Sequence, residues 1–109
     1  MQTEIIITPI SVTALLRGEI DHHSAAPIRK EIDDNVRRHK PPLLRLDFAQ
    51  VTFIDSSAIG LVMGRYRLVR ELGGRVQVVN LNERFFRLMR LAGLEKLAQL
   101  TLKEQRLNA

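Results

Sequence analysis

The stretch from Leu43 to Val79 constrains the fold most. An apolar run, Leu43-Leu44-Arg45-Leu46-Asp47-Phe48, leads through Val51-Thr52-Phe53-Ile54 to Asp55-Ser56-Ser57, then to a helix-forming segment ending near Leu72, to Gly73-Gly74, and to a second apolar run, Val76-Gln77-Val78-Val79. Short apolar and β-branched runs on either side of a capped, helix-length segment read as strand, helix, strand. The segment from Val51 to Ile54 either prolongs the first strand after a kink or packs beneath the helix. Asp and Ser at its start supply acceptor oxygens for first-turn N–H groups that have no intrahelical partner. The two glycines at its end supply the left-handed backbone that closes many helices.

The rest of the chain extends this alternation. Glu4 to Thr8 and Ser11 to Ile20 read as two strands about Pro9-Ile10, a hairpin at a sheet edge where proline is tolerated; Val12, Ala14, Leu16 and Gly18 share one parity of the second. Ser24 is the expected N-cap of a first helix, with Pro27 in its first turn. Ala25, Ile28, Ile32 and Val36 follow at helical spacing as far as Arg38-His39, before Lys40-Pro41-Pro42. Asn82 is the expected cap of a third helix carrying Phe85, Leu88, Met89 and Ala92, closed by Gly93 and Leu94. Leu97 to Leu102 reads as a last strand, and Lys103 to Ala109 as a polar tail, frayed or briefly helical. The order predicts one α/β domain over residues 1–109, with a mostly parallel or mixed sheet covered by helices.

Composition narrows the chemistry. A chain of 109 residues with 45% apolar and 27% charged content fits a single domain with one core. With no cysteine, disulfides, thiolate zinc sites and cysteine nucleophiles are excluded. No apolar run approaches a membrane span, and Met1-Gln2-Thr3-Glu4 has neither the basic nor the apolar block of a secretory signal, so the expectation is a cytoplasmic protein with no membrane partner. The net charge of +5 raises nucleic acid as a partner. Its distribution argues against it: the arginines from Arg29 to Arg90 are dispersed over every predicted helix, and Tyr66 is the only tyrosine with no tryptophan to build a stacking platform.

The second helix carries the most specific pattern. At about 100° per residue, Ser57, Gly60, Gly64, Arg67 and Glu71 fall along one side, and Ala58, Ile59, Val62, Tyr66 and Val69 along the other. Each interior glycine costs about 1 kcal/mol relative to alanine. Two on one stripe serve close approach, either by a docking partner beside Ser57 or by a neighbouring element of the same domain. Either Ser56 or Ser57 can carry a phosphate, because a helix N-terminus favours anions. As a nucleophile, either would need a base, and His22, His23 and His39 are the only histidines. The Gly-x-Ser-x-Gly elbow is missing. Asp21, His22 and His23 are adjacent and diverge rather than forming a metal set. Gly60-Leu61-Val62-Met63-Gly64 lacks the Lys-Ser/Thr of a phosphate loop. No cofactor or metal is expected.

Gly18-Glu19-Ile20-Asp21-His22-His23, Leu46-Asp47-Phe48, Phe53-Ile54-Asp55-Ser56-Ser57-Ala58-Ile59-Gly60, Gly64-Arg65-Tyr66, Gly73-Gly74 and Leu91-Ala92-Gly93-Leu94 together resemble the anti-sigma factor antagonists. These are single STAS domains, and the likeness is strongest to those of the sporulation sigma-F system. The resemblance implies a STAS-type α/β sandwich, a mixed sheet of about four to five strands covered by about three to four helices. It implies no catalysis, but a partner switch. The unphosphorylated antagonist binds an anti-sigma factor that is a serine kinase and frees the sigma factor. Phosphorylation of Ser57, ahead of Ser56, ends binding, and a metal-dependent serine phosphatase reverses it. Asp21, His22, Asp55, Ser56, Ala58, Gly60, Gly64 and Arg67 are the expected contact residues, on a protein expected to be monomeric alone. Asp21 and Asp55 are expected to crowd the new anion, and Ala58 stands where the family usually has glycine. Two alternatives stay open: a STAS subunit of a stressosome-like or lipid-transport assembly, and a small basic nucleic-acid-binding protein.

Overall fold

A computed structural model describes residues 2–103. In chain order they form β1 (Thr3–Thr8), β2 (Ser11–Ile20), α1 (Ala25–His39), β3 (Leu43–Ile54), α2 (Ser56–Glu71), β4 (Arg75–Leu81), α3 (Glu83–Leu91), a 3-10 turn at Leu94–Lys96 and β5 (Gln99–Leu102). The strands lie in sequence order in one sheet, with β1 antiparallel to β2 and every other pair parallel. This is the mixed α/β arrangement expected. The stretch from Val51 to Ile54 prolongs β3, and the expected tail beyond Lys103 lies outside the described residues.

The period of two decides where the core sits. Val12, Ala14, Leu16, Leu44, Leu46, Phe48, Val76 and Val78 are buried on one face of the sheet, in the same cluster as Ile28, Ile32 and Val36 of α1, Ala58, Leu61, Val62 and Val69 of α2, and Phe85 and Met89 of α3. The alternate residues make a polar row on the other face. Thr13, Arg45, Gln77 and Gln99 are in register across β2 to β5, and Arg45 Nε donates to Gln77 Oε1 at 3.3 Å while Gln77 Nε2 donates to Gln99 Oε1 at 2.9 Å. The sheet therefore has its apolar side under the helices and its polar side toward water.

Because β2 and β3 run parallel and each is followed directly by a helix, α1 and α2 both start at the same end of the sheet. Their packing is locked deeper down by Arg65 of α2 and Asp33 of α1, whose Nε and Oδ1 stand 2.7 Å apart with side chains only 7% and 12% exposed. The second glycine behind α2 serves a different purpose from the first. Gly73 has a φ of +84°, whereas a Cβ on Gly74 would lie 2.6 Å from the Pro41 carbonyl oxygen and 2.9 Å from Val69 Cγ1. One glycine turns the chain, and the other lets α2 close onto the start of β3.

Candidate functional site

The site is assembled at the shared N-terminal end of α1 and α2. Asp55, in extended conformation, caps α2 by accepting the Ser57 N–H on Oδ1 at 2.7 Å. This capping bond fixes where the serines point. Ser57 is half-buried and faces the groove between α1 and α2, a cleft of about 420 Å³ that it lines together with His22, Ala25, Arg29, Gly60, Gly64 and Arg65. Ser56 is exposed and lines a separate recess with Ile54, Asp55, Ile59 and Leu88. The two candidate serines thus address different surfaces.

The glycine stripe opens onto the same cleft. A Cβ built on Gly60 or Gly64 would find nothing within 4 Å. Neither glycine is needed for packing inside the domain, so the reading in which they accommodate a neighbouring element does not hold. What they leave is a flat, open strip of α2 beside a hydroxyl.

Ser24 departs from its expected role. It stands at the N-cap position of α1, but its side chain makes no capping bond; its Oγ donates to the Glu19 carbonyl at 2.9 Å and accepts the Asp21 N–H at 3.0 Å. The polar turn is instead organised by Asp21, whose Oδ1 accepts from His23 N–H at 2.9 Å and Ser24 N–H at 3.0 Å. The Ser24 N–H, ahead of an opposing desolvation and of smaller contributions from His23, holds the Asp21 carboxyl below its ordinary value. Both acids expected to crowd an anion on Ser57 are therefore oriented through one oxygen by backbone N–H groups.

Two further expected contacts separate from the site. Ala58 has 0% exposure and belongs to the core, so its methyl cannot form part of a contact surface. One helical position past Ser57, it faces the sheet. Arg67 is exposed but sits farther along α2, in a shallow recess with Tyr66, Arg70 and Glu71. His22, Ser57, Gly60 and Gly64 remain together.

Arg65 and Arg29 were not singled out from the sequence, and both line the cleft. Arg65 is only 6% exposed. Its approach to Asp33 is close but not aligned as a hydrogen bond, and Nε and Nη1 have no hydrogen-bond partner among the described residues. Burial pulls its guanidinium below the usual arginine value, Asp33 opposes that, and Arg29 and Arg37 add repulsion. A signal was available: Arg65 falls on the apolar stripe of Ala58, Leu61, Val62 and Val69, and Asp33 falls beside Ile32 on that of α1. Opposite charges on two stripes meant to meet read as an interhelical pair.

The sequence matches the STAS domain family over residues 6–106. The chain belongs to the STAS family. Among curated relatives, this STAS domain is 34% identical over 82 residues to the anti-sigma F factor antagonist of Paenibacillus polymyxa, covering 75% of this chain and 70% of the relative. Among solved structures it is similar to the anti-sigma factor antagonist SpoIIAA in its unphosphorylated form, with 27% identity, a TM-score of 0.78 and coverage of 90% of this chain and 86% of that one. The phosphorylated form of SpoIIAA, described as a Bacillus cell fate determinant, is similar over 90% of this chain and 89% of that chain, with 27% identity and a TM-score of 0.72. Among the described residues of this STAS domain, no helix is long and apolar enough to cross a membrane.

Proposed function

We propose that this STAS domain is an anti-sigma factor antagonist acting as a binding module, switched by phosphorylation of Ser57. In its unphosphorylated form it binds an anti-sigma factor that is also a serine kinase, and so frees the sigma factor. Ser57 Oγ attacks the γ-phosphorus of the kinase's ATP, an O–P bond forms as the β–γ bridge breaks to release ADP, and the hydroxyl proton passes to a base on the kinase. A metal-dependent serine phosphatase restores the hydroxyl.

The observation that carries this reading is the placement of Ser57, capped through its N–H by Asp55 and set at the mouth of a cleft beside Gly60 and Gly64. A phosphate adds roughly −1.5 to −2 charges. At a helix N-terminus it is electrostatically favoured, so the fold is expected to survive while the surface changes its charge and shape. The relationship to SpoIIAA, which is described in both phosphorylation states, supports the same separation of fold from switch.

The test is to incubate the protein with its anti-sigma kinase and ATP and to map the product by mass spectrometry. Phosphate on Ser57, its loss in Ser57→Ala, and release of the kinase after phosphorylation are expected. A product on Ser56 alone, or none, would refute the reading. Ser57→Asp should weaken kinase binding while changing stability by less than about 1 kcal/mol.

A further inference from the structure

The cleft beside Ser57 is lined by basic side chains and by no carboxylate. His22 comes from the turn before α1, Arg29 from its second turn, and Arg65 from α2. Asp21 and Asp55 are not among the residues lining the cleft and accept backbone N–H groups, and the ring centroids of His22 and His23 are 3.9 Å apart. Arg29 is exposed, with no ion pair or hydrogen bond among the described residues. Helical side chains lean toward the N-terminus, which carries the Arg29 guanidinium toward the mouth of the cleft.

A second, independent observation comes from the floor. Arg65 is 6% exposed and its Nη1 has no partner among the described residues. Among the described residues the carboxylate of Asp33 is the only anion paired with it, while Arg29 and Arg37 also act on it. The residues lining the cleft thus carry two arginines and no carboxylate, and Asp33 pairs with one of them. The N-termini of two helices, both at this end, add partial positive charge.

We propose that this cleft receives the phosphate carried on Ser57 itself, with Arg29 and His22 pairing with the phosphoryl oxygens and Arg65 holding the floor at positive potential. This rests on Ser57 being the acceptor. It changes how the switch works: the added anion is drawn into the domain, filling the cleft and cancelling its charge, instead of standing in water as a repulsive group. Arg suits the role because its planar fork can give two N–H bonds to one phosphate.

The test avoids any kinase by inserting phosphoserine at position 57 during translation, so a failure to find the natural kinase leaves it intact. A ³¹P titration at low salt should place the second phosphate ionisation about one unit below its ordinary value near 6, tenfold in the ionisation constant. Arg29→Gln should return at least half of that shift. Phosphoserine at position 56, which faces the other recess, controls for the helix terminus and should titrate close to normal. Raising the salt should leave part of the shift at position 57, because a phosphate held in a cleft is screened less than an exposed one. Equal titration at positions 56 and 57, or a shift at 57 that ignores Arg29→Gln, would overturn the proposal. A separate titration of the unphosphorylated protein with inorganic phosphate, followed by the His22 ring signals, should show far weaker binding than the tethered group; tight binding of free phosphate would mean that the cleft serves a ligand from solution.

Discussion

Consider replacing Gly60 and Gly64 by alanine, singly and together. Both lie inside α2, and a Cβ at either position has no neighbour within 4 Å, so no overpacking is introduced. The helix gains the difference in propensity, about 0.8–1 kcal/mol at each site, or roughly 2 kcal/mol for the pair. For a domain of this size that raises the melting temperature by roughly 4–8 °C per kcal/mol. Urea unfolding should show the same gain as a higher midpoint with an unchanged slope. Two methyl groups would then project into the cleft beside Ser57. A partner lying flat against the stripe would have to shift, at about 1–3 kcal/mol, which is roughly tenfold or more in dissociation constant. Titration calorimetry with the anti-sigma kinase measures that loss directly. A double variant that melts lower than the parent would show that the glycines are packed after all. One that is more stable and binds as well as the parent would show that the stripe is not the docking surface.

The interior makes sharper demands. Asp33→Asn leaves Arg65 buried without its carboxylate and should cost about 3–5 kcal/mol in urea unfolding, while Asp33→Leu combined with Arg65→Met should recover most of it; a loss under about 1 kcal/mol for Asp33→Asn would refute the pair's role. Gly74→Ala should destabilise by about 1–3 kcal/mol, because the new methyl meets the Pro41 carbonyl oxygen at 2.6 Å. Asp21 has a folded-state pKa below the ordinary 3.8, so its contribution to stability is present above that value and is lost as pH falls through the lowered one. Asp21→Asn should therefore flatten the acid limb of the stability profile, and an Asp21 carboxyl that titrates at or above 3.8 by NMR would contradict the turn geometry.

The strand and helix order was legible because each element obeys its own period. The alternation in β2 and the spacing of Ile28, Ile32 and Val36 in α1 mark the faces that are in fact buried. Asn82 caps α3 as its residue type suggests, accepting the Phe85 N–H at 2.7 Å. Ser24 departs from the expected cap because a serine before a helix has more than one acceptor and donor within reach. The bulged end of β2, with Gly18 at a φ of +74°, brings the Glu19 carbonyl to its hydroxyl, and that bond replaces the cap. Local sequence cannot weigh a strand end that curls back against a helix start. Ala58 was expected at the contact from the resemblance, but helical spacing sets it on the face opposite Ser57, and that face is the one that is buried.

The same rotation separates the two serines and gives the site its logic. Ser56 and Ser57 have the same chemistry and nearly the same distance from the start of α2, so no argument from helix capping or dipole prefers one. Their neighbours do. Ser56 is exposed and turns toward Ile59, Leu88 and the Asp55 carboxylate, a recess with no cation to pair with a dianion. Ser57 turns toward His22, Arg29 and Arg65, and toward two positions without side chains. A hydroxyl with cations on one side and open backbone on another can be approached by a partner when neutral and can be answered by its own domain when charged. On the proposed reading, part of the basic excess of the chain, dispersed along the sequence, has a local use: Arg29 and Arg65 would distinguish Ser57 from Ser56 as the serine to bear a phosphate.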